Sequence, residues 1–380
     1  MNIAILGQKG IPAVCGGVEK HVEEVATRLV GMGHEVTVFT RKSYSETAGS
    51  EYRGVKLRCL PNIATKHLDA ISYAAFATIT LILNREVQIV HFHGIGPSLL
   101  IPLLRIFRPR LPVVATHHSR DYFHGQWGVV ARSFLRLGEY CQARFASRLI
   151  SVSKDNTEFL SKSYHREVTY IPNGAIINQE EDKQEVFDQY EKDDYILIVA
   201  RLVPVKCIHH AIKAYQKLNT TKKLIIAGDS SYTGEYVDSL MKLGSQSEGV
   251  NFIGYQTPEA LSYLYQNACF FILASETEGT SIALLEAMSY GCAVLVSDIR
   301  ANTDVIGNAG VSFKQGDVES LALKMGAMLE DESIVAKCSE RSVLRVRTHF
   351  DWDDIVTKLD KVYREVAIVH GSKASADRLH

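Results

Sequence analysis

The sequence predicts an α/β protein with two doubly wound, Rossmann-like domains that face each other across a cleft. The chain has 380 residues, more than one hydrophobic core ordinarily holds, so two domains are expected. Short apolar runs alternate with amphipathic helical stretches, which is typical of a parallel sheet covered by helices on both faces. An acidic segment interrupts this alternation once, and its resumption predicts a second unit of the same kind.

The first half of the chain carries apolar runs bounded by polar or turn residues, with helical periodicity between them. The predicted strands are 2–7, 34–41, 55–60, 87–93, 112–117 and 148–152. The predicted helices are 17–32, 67–84, 96–107, 127–146 and 154–164.

The segment Gln179–Asp194 is acidic and poor in aliphatic residues, and it follows Tyr170–Gly174, a short strand that ends in turn residues. We interpret it as the connection between the domains. A second alternation starts at Tyr195, with helices between its apolar runs. The strands predicted there are 195–200, 223–228, 250–254, 269–274, 292–297 and 311–313.

These boundaries predict an N-terminal domain at 1–172 and a C-terminal domain at 173–349. The remaining segment, 350–380, is predicted to form a helix over Trp352–Val366 that packs back on the N-terminal domain, with a loose tail from His370. Ligands of doubly wound sheets bind beyond the carboxyl ends of the strands, so the functional site is expected at those ends.

The composition argues against several classes of protein. The seven cysteines are scattered without a C-x-x-C pair, so neither a disulfide framework nor a zinc framework is expected. Met1 leads directly into a predicted strand, so no signal peptide is expected. No apolar run reaches the ~18–20 residues that a membrane-spanning helix needs. These features predict a cytoplasmic protein.

Charge is distributed unevenly along the chain. Residues 1–170 contain 21 Lys and Arg against 13 Asp and Glu, whereas the rest contain 21 against 30. The excess is concentrated at 101–150, which holds eight arginines and two acids. A basic half favours an anionic partner, either anionic lipid or a phosphorylated substrate. The aromatic residues expected in a nucleic-acid groove are not evident, so a nucleic acid is not expected as a partner.

Several of these arginines stand beside large apolar residues. The arginines are Arg105, Arg108, Arg110, Arg132, Arg136, Arg144 and Arg148, and the apolar residues are Phe107, Phe134, Leu135 and Phe145. This pattern resembles a basic amphipathic surface, which predicts peripheral binding to the inner face of the plasma membrane. A packed helix with a solvated basic edge is the alternative.

The stretch Glu278–Gly291, E-G-T-S-I-A-L-L-E-A-M-S-Y-G, combines two carboxylates with the start of a helix. The backbone N–H groups of its first turn, Ser281 to Ala283, have no intrahelical acceptor, so this helix end favours a phosphate. Glu278 precedes that end, and Glu286 lies on the second turn. The spacing alone equally fits a helix with an acid that stabilises its N-terminus.

Two other predicted strand ends carry suitable residues. Arg201 and Lys206 follow the strand 195–200 on either side of a proline turn, and both cations suit phosphate oxygens. Gly228 and Asp229 end the next strand, where a glycine permits close approach of the backbone. Taken singly, each feature also fits an ordinary surface.

In combination, these residues resemble the retaining sugar-nucleotide glycosyltransferases of the GT-B fold, family four. The shared pattern is R-x4-K after the first strand of the second domain, G-D after the next, F-I-G-Y, and then E-G-x6-E-A-M-x-x-G. In the N-terminal half, G-Q-K-G-I-P-A-V-C-G-G-V-E resembles a bacterial subgroup that assembles surface polysaccharides and includes rhamnosyltransferases.

The resemblance implies a role for each matching residue. Arg201 and Lys206 would neutralise the diphosphate, Glu278 would hold the donor sugar and Glu286 the ribose. The implied catalytic residues are Arg201, Lys206, Glu278 and His118, the last of which matches a histidine in the cleft of the family. The implied donor-binding residues are Gly16, Gly17, Gly228, Asp229, Tyr255, Gly279, Thr280, Ser281, Ile282, Ala283 and Glu286. Neither a metal nor another cofactor is implied.

The sequence departs from the family pattern at two places. Cys207 stands where a glycine usually follows the lysine, and T-S-I-A at 280–283 replaces the common F-G-x-P. The second departure affects the sugar contacts more than the phosphate contacts. The donor therefore stays open between dTDP-rhamnose and a UDP-hexose.

Histidines at two strand ends suggest a different kind of site. His91 and His93 are two residues apart and share a strand face, and with His118 nearby they could resemble a metal site. No carboxylate has matching spacing, so hydrogen-bonded polar residues are the preferred interpretation. His117 and His118 are adjacent and point to opposite faces, so one of them is expected in the core.

The resemblance thus implies a metal-independent glycosyltransferase of bacterial surface-polysaccharide biosynthesis, such as lipopolysaccharide or capsule assembly. It would move a sugar from a nucleoside-diphosphate donor to a saccharide acceptor, expected to be a glycolipid, with retention of anomeric configuration. One alternative is a nucleotide-sugar epimerase or dehydrogenase, which the irregular glycine pattern at Gly7–Gly17 disfavours. The other is a non-catalytic nucleotide-sugar-binding protein.

Overall fold

The chain forms two compact units, each built on its own sheet. The computed structural model describes residues 1–14, 16–44, 49–63, 65, 69–123, 128–177, 190–229 and 234–376. Unit 1 comprises Met1–Asn173 and Trp352–His380, and unit 2 comprises Gly174–Asp351. Most of the predicted connection Gln179–Asp194 lies outside the described residues.

Unit 1 contains an eight-stranded sheet with helices on both faces. Its strands are β1 (Asn2–Leu6), β2 (Glu35–Arg41), β3 (Glu51–Tyr52), β4 (Val55–Leu60), β5 (Ile89–His93), β6 (Val113–His117), β7 (Arg148–Ser151) and β8 (Thr169–Tyr170). Its helices before the linker are α1 (Gly17–Gly31), α2 (Asp69–Leu83), α3 (Ile101–Phe107), α4 (Val129–Phe145) and α5 (Lys154–Tyr164). The strand order is β3-β4-β2-β1-β5-β6-β7-β8, and all pairs are parallel except β3 with β4.

Unit 2 contains a six-stranded, fully parallel sheet. Its strands are β9 (Tyr195–Val199), β10 (Lys223–Ala227), β11 (Val250–Gly254), β12 (Phe270–Leu273), β13 (Val294–Ser297) and β14 (Val311–Phe313). Its helices are α6 (Ile208–Tyr215), α7 (Gly234–Gly244), α8 (Pro258–Asn267), α9 (Ile282–Ser289), α10 (Arg300–Ile306), α11 (Val318–Glu330) and α12 (Glu332–His349). The strand order is β11-β10-β9-β12-β13-β14.

Both strand orders confirm the predicted doubly wound fold of each unit. In unit 1 the chain proceeds outward from β1 to β2 and later crosses back to β5, and in unit 2 it proceeds outward from β9 and crosses back to β12. The point where the winding reverses is where such sheets bind ligands. Each unit therefore has one such switch point, between β1 and β5 or between β9 and β12. The cleft expected between the two domains stays a prediction.

The strands are apolar on both faces because both faces are covered. In β1, Ile3 and Ile5 belong to one core, whereas Ala4 and Leu6 belong to the core on the other face. The two-residue period of a strand produces this division, since alternate side chains point to opposite faces. The near-continuous apolar runs that predicted the strands are thus explained by burial on both sides.

The C-terminal helix, α13 (Trp352–Ala376), packs on unit 1, and Trp352 and Tyr363 are buried in the same core as Ile3. The helix continues past its predicted end at Val366 as far as Ala376, and the loose tail predicted from His370 stays a prediction. His370 Nδ1 lies 2.9 Å from Val366 O and its Nε2 lies 3.2 Å from Ser147 Oγ. These contacts tie the His370 ring to the preceding helical turn and to Ser147, a connection that apolar periodicity could not indicate.

The described parts of α2 and α4 begin at Asp69 and Val129, and residues 67–68 and 127 of the two predicted helices lie outside the described residues. No helix in the described part of the chain has both the length and the apolar character needed to cross a lipid bilayer.

Candidate functional site

Two loops of unit 2 flank the switch point between β9 and β12. The loop after β9 ends in a 3-10 turn at Pro204–Lys206, and the loop after β12 leads to α9. The backbones of the loops are joined, since the Glu276 N–H donates to Val205 O at 3.0 Å. The two loops therefore form a shared surface at the carboxyl edge of the sheet, where a ligand is expected.

Lys206 and Glu278 form an ion pair between these loops. Lys206 Nζ lies 2.5 Å from Glu278 Oε1, and the two side chains are only 16% and 11% exposed. The residues are 72 positions apart in the chain. The structure thus brings together two of the predicted catalytic residues and fixes an ammonium group at the switch point.

Cys207, one of the two departures from the family pattern, adopts a backbone conformation that glycine favours. Its φ is +51°, in the left-handed region, at the junction of the 3-10 turn and α6. Glycine adopts this conformation with the least strain, which gives a backbone reason for the usual glycine. The Cys207 side chain is buried in the core, and burial raises the pKa of its thiol to about 11. It therefore acts as a small apolar residue and not as a thiolate.

The N-terminus of α9 lies directly after Glu278 in the chain. Ser281 is the N-cap, and its hydroxyl accepts a hydrogen bond from the Leu284 N–H at 3.4 Å. The helix begins at Ile282, so the N–H groups of Ile282 and Ala283 are the first without an intrahelical acceptor. Of the three residues predicted to offer N–H groups, Ser281 is therefore the cap. Ile282 and Ala283 present their N–H groups at the positive end of the helix dipole.

Glu286, predicted to hold a ribose, has a buried tyrosine as a partner. Tyr265 OH donates to Glu286 Oε2 at 3.4 Å, and the Tyr265 ring stacks on Tyr290 with 5.8 Å between centroids. Burial and the charge of Glu286 raise the pKa of Tyr265, so the phenol stays protonated and orients the carboxylate. The sequence analysis missed Tyr265, whose position in α8 carried no motif.

The remaining predicted residues of unit 2 lie at the same edge. Arg201 follows β9, Asp229 follows β10 and Tyr255 follows β11, and all three are exposed. Arg201 has no ion-pair partner among the described residues. The Leu202 N–H donates to Asp229 O at 3.2 Å, which ties two strand ends together. Exposed groups of both signs thus lie at the same sheet edge as the Lys206–Glu278 ion pair.

Gly228 is required by the backbone at this edge. Its φ is +140°, and a Cβ added there would lie 1.9 Å from Ala200 O. Its N–H donates to Gly254 O at 2.7 Å. The ends of β9, β10 and β11 therefore approach more closely than any side chain at position 228 would permit.

The glycine-rich loop of unit 1 lies at the other switch point. Two carboxylates of α1 hold it, since Glu19 Oε1 accepts from the Lys9 N–H at 2.9 Å and Glu23 Oε2 accepts from the Ala13 N–H at 2.6 Å. The loop ends at Gly16, whose φ is +104°. Sequence reasoning missed the role of Glu23, because a helical glutamate is ordinarily solvated.

His118 lies in a cluster of buried histidines in unit 1. Its Nε2 is 3.0 Å from His93 Nδ1, and its ring centroid is 5.0 Å from that of His21. His117 has a different partner, with Nδ1 3.2 Å from Gln142 Oε1. This confirms the expectation that one of the adjacent pair is a core residue. His21, which comes from α1, was not among the predicted site residues.

The predicted residues therefore divide between the units: Gly16, Gly17 and His118 belong to unit 1, and all the others belong to unit 2. Within unit 2 the structure brings Lys206 and Glu278 into contact and places Arg201, Gly228, Asp229, Tyr255 and the α9 N-terminus at one sheet edge.

Comparison with known proteins gives matches to both halves of the chain. Residues 15–179 match Glycosyltransferase Family 4, and residues 179–344 match Glycosyl transferases group 1. O-antigen chain mannosyltransferase B of Escherichia coli is 28% identical over 174 residues, which is 45% of this chain and 45% of that protein.

Two solved structures share the fold over nearly the whole chain. Sucrose-phosphate synthase from Thermosynechococcus elongatus is 18% identical with a TM-score of 0.84, covering 97% of this chain and 99% of that one. Anabaena Alr3699/HepE, solved in complex with UDP and glucose, is 19% identical with a TM-score of 0.79, covering 96% and 100%. With the two family matches and the fold of each unit, the chain belongs to the GT-B glycosyltransferases.

Proposed function

We propose that this protein transfers a sugar from a nucleoside-diphosphate donor to a saccharide acceptor with retention of anomeric configuration. The observation that carries the proposal is the Lys206–Glu278 ion pair at the switch point of unit 2. It places a cation and a carboxylate next to the N-terminus of α9, where a phosphate and a sugar can be held side by side. The match to an O-antigen mannosyltransferase supports a role in bacterial surface-polysaccharide assembly.

The chemistry follows from where charge develops. The bond between the anomeric carbon and the diphosphate oxygen breaks, so negative charge grows on the diphosphate while the sugar gains oxocarbenium character. Lys206, Arg201 and the first N–H groups of α9 stabilise that negative charge. The acceptor hydroxyl attacks the same face, and its proton passes to the departing phosphate oxygen. The fixed positive charge of the protein supplies the stabilisation, so transfer proceeds without a metal.

Donor recognition uses the two glutamates. Glu278 accepts hydrogen bonds from sugar hydroxyls, and Glu286, oriented by Tyr265, accepts them from the ribose. The Anabaena structure in complex with UDP and glucose supports a nucleoside diphosphate in the donor. The sugar and base are either dTDP-rhamnose, by the resemblance of the N-terminal motif, or a UDP-hexose.

Thermal unfolding with UDP, dTDP, GDP and ADP, each with and without EDTA, tests this function. We expect one diphosphate to stabilise the protein, by about 2.7 kcal/mol at 100 times its Kd, and this stabilisation to persist in EDTA. Stabilisation by a nicotinamide cofactor alone would favour the epimerase or dehydrogenase alternative. NMR of the product then reads the anomeric linkage, and an inverted linkage would contradict the front-face mechanism.

The acceptor is proposed to be a glycolipid, reached through a membrane-binding face on unit 1. The structure corrects part of the predicted basic surface. Arg105 donates to Phe145 O at 2.9 Å and to Leu111 O at 3.0 Å, and Arg108 donates to Leu81 O at 3.0 Å. These two guanidinium groups hold backbone carbonyls together, so they are not available to lipid.

The outward face of α4 is the better candidate. Val130, Phe134 and Leu137 are 70%, 58% and 49% exposed, although large apolar side chains on a helix normally face the core. Arg136 and Arg144 are exposed on the same helix. Apolar side chains flanked by arginines suit insertion at the surface of an anionic bilayer. We propose that α4 binds the inner face of the plasma membrane.

Flotation with phosphatidylglycerol-containing vesicles tests this face. The double variant Phe134→Ser/Leu137→Ser is expected to bind about 10- to 100-fold more weakly, because it removes two apolar anchors whose partial insertion contributes about 1.4–2.7 kcal/mol in total, less than the ~3–6 kcal/mol of two fully buried side chains. The matched control is Leu323→Ser/Leu344→Ser, which removes two exposed leucines of unit 2. Absence of wild-type binding at both low and physiological salt would count against the proposal.

A further inference from the structure

Three buried histidines of unit 1 converge from separate elements. His21 lies on α1, His93 ends β5 and His118 follows β6, and their side chains are 3%, 1% and 8% exposed. One ring nitrogen of each lies within 4.8 Å of the others. Buried polar groups are ordinarily hydrogen-bonded, so nitrogens without partners at such a position need an explanation.

The hydrogen bond of His21 to Asn173 determines which ring nitrogen of His21 carries a lone pair. His21 Nδ1 lies 2.8 Å from Asn173 Oδ1, an acceptor, so Nδ1 carries the proton and Nε2 has the lone pair. His21 Nε2 is buried without a hydrogen-bond partner among the described residues. Metal-bound histidines typically donate their second ring N–H to an oxygen in this way. The His21–Asn173 pair therefore has the form of a ligand with its supporting residue.

His93 offers a second open nitrogen. Its Nδ1 is 3.0 Å from His118 Nε2, and in the tautomer in which His93 Nδ1 donates and His118 Nε2 accepts, the lone pair of His93 is on Nε2. His93 Nε2 is buried without a hydrogen-bond partner in the described part of the chain. Neighbouring His91 does not share this property, since its two nitrogens bond Tyr363 OH at 2.6 Å and Thr116 Oγ1 at 2.7 Å. The nitrogens without a partner are thus Nε2 of His21 and Nε2 of His93, whereas His91 offers none.

Burial disfavours the charged form of all three rings. Burial lowers the pKa of His21 to about 4 and lowers the pKa of His93 and His118 well below the ordinary value.

We propose that His21, His93 and His118 form a binding site for a borderline divalent metal ion, with Zn²⁺ as the reference ion. Three imidazoles and an open fourth position are a known zinc ligand set, whereas Mg²⁺ and Ca²⁺ require oxygen ligands. Zinc–nitrogen bonds of ~2.0–2.1 Å place tetrahedral ligand nitrogens about 3.4 Å apart. The rings therefore close on the ion by small movements from their separation of up to 4.8 Å.

A functional consequence rests on the proposed function. The family resemblance implies a catalytic role for His118, so an ion that engages its ring competes with that role, and Zn²⁺ should inhibit sugar transfer. Metal binding itself does not depend on the protein being a transferase. A failed metal titration would therefore contradict the metal site alone, whereas absence of sugar transfer would contradict the proposed function alone.

The experiment is calorimetric titration of the chelator-stripped full chain with Zn²⁺. Wild type is expected to bind one equivalent, and His21→Ala and His93→Ala should each weaken binding by more than ~100-fold, because a lost ligand costs more than a lost supporting residue. Asn173→Ala, which removes only the support of His21, should weaken it about 10- to 100-fold. His209→Gln, in the separate His209–His210 pair of unit 2, is the control and should bind as wild type.

The visible absorption spectrum of the Co²⁺-loaded wild type tests the site even if a variant fails to fold. A four-coordinate nitrogen site gives intense visible bands, whereas a six-coordinate adventitious site is nearly colourless. Weak bands, absence of stoichiometric binding, or binding that survives His21→Ala but is lost in His209→Gln would overturn the proposal.

Discussion

Lys206→Ala is expected to lower kcat/KM for sugar transfer by about 10²–10³-fold, the loss typical when one preorganised electrostatic contact to a developing charge is removed. It should also abolish thermal stabilisation by the nucleoside diphosphate. The ammonium group is held at the switch point of unit 2 by Glu278, at 2.5 Å, so it is in place before the donor binds. Charge fixed in advance needs no reorganisation as negative charge grows on the diphosphate.

Part of the loss of donor binding in Lys206→Ala should come from Glu278, which loses its ion-pair partner. Without Lys206, a carboxylate that is 11% exposed remains unpaired beside the phosphate position and repels the donor. The double variant Lys206→Ala/Glu278→Gln should therefore bind the diphosphate better than Lys206→Ala while turnover stays low, because the carboxylate that holds the sugar is also gone. Isothermal titration with the diphosphate separates these effects.

Lys213→Ala is the matched control, because Lys213 is an exposed lysine on α6, the helix that follows Lys206. It removes the same charge from the same unit and should leave kcat/KM within about twofold, as expected for a surface charge away from the site. If Lys206→Ala and Lys213→Ala behave alike, the assignment of the diphosphate position is wrong.

The parts of the fold that follow local rules could be predicted from the sequence. The apolar runs of β1 and β9 predicted strands covered on both faces, and the hydroxyl of Ser281 before an apolar run is an ordinary helix cap. Lys206 and Glu278 were predicted after two different strands, and the family resemblance implied that both contact the donor. Parallel strands end at one edge, so the topology then brings such residues together without any long-range signal in the sequence.

The missed residues depend on partners far away in the chain. His21 looks like a solvated residue between Lys20 and Val22, but Asn173, 152 positions later, hydrogen-bonds its ring. Glu19 and Glu23 break the polar-outside pattern of α1 because they accept loop N–H groups. A helical period cannot distinguish a solvated glutamate from one that binds backbone.

The second large effect is expected from Gly228→Ala, which should destabilise unit 2 by about 3–5 kcal/mol, the sum of backbone strain and overpacking. The new Cβ would lie 1.9 Å from Ala200 O, a backbone atom that cannot rotate away, and the φ of +140° disfavours any L side chain. Relief requires the ends of β9 and β10 to separate, and these ends carry Arg201 and Asp229.

Gly254→Ala separates the two causes. Gly254 ends the neighbouring strand β11 with a φ of +68°, but a Cβ there would meet nothing within 4 Å. It should therefore cost only about 1–2 kcal/mol, the strain of a left-handed residue. Hydrogen exchange measured by mass spectrometry reads the difference locally, since each 1.4 kcal/mol corresponds to about a tenfold faster exchange through opening. Peptides covering β9 and β10 should exchange far faster in Gly228→Ala than in Gly254→Ala, and equal protection in the two variants would mean that these strand ends have room to move apart.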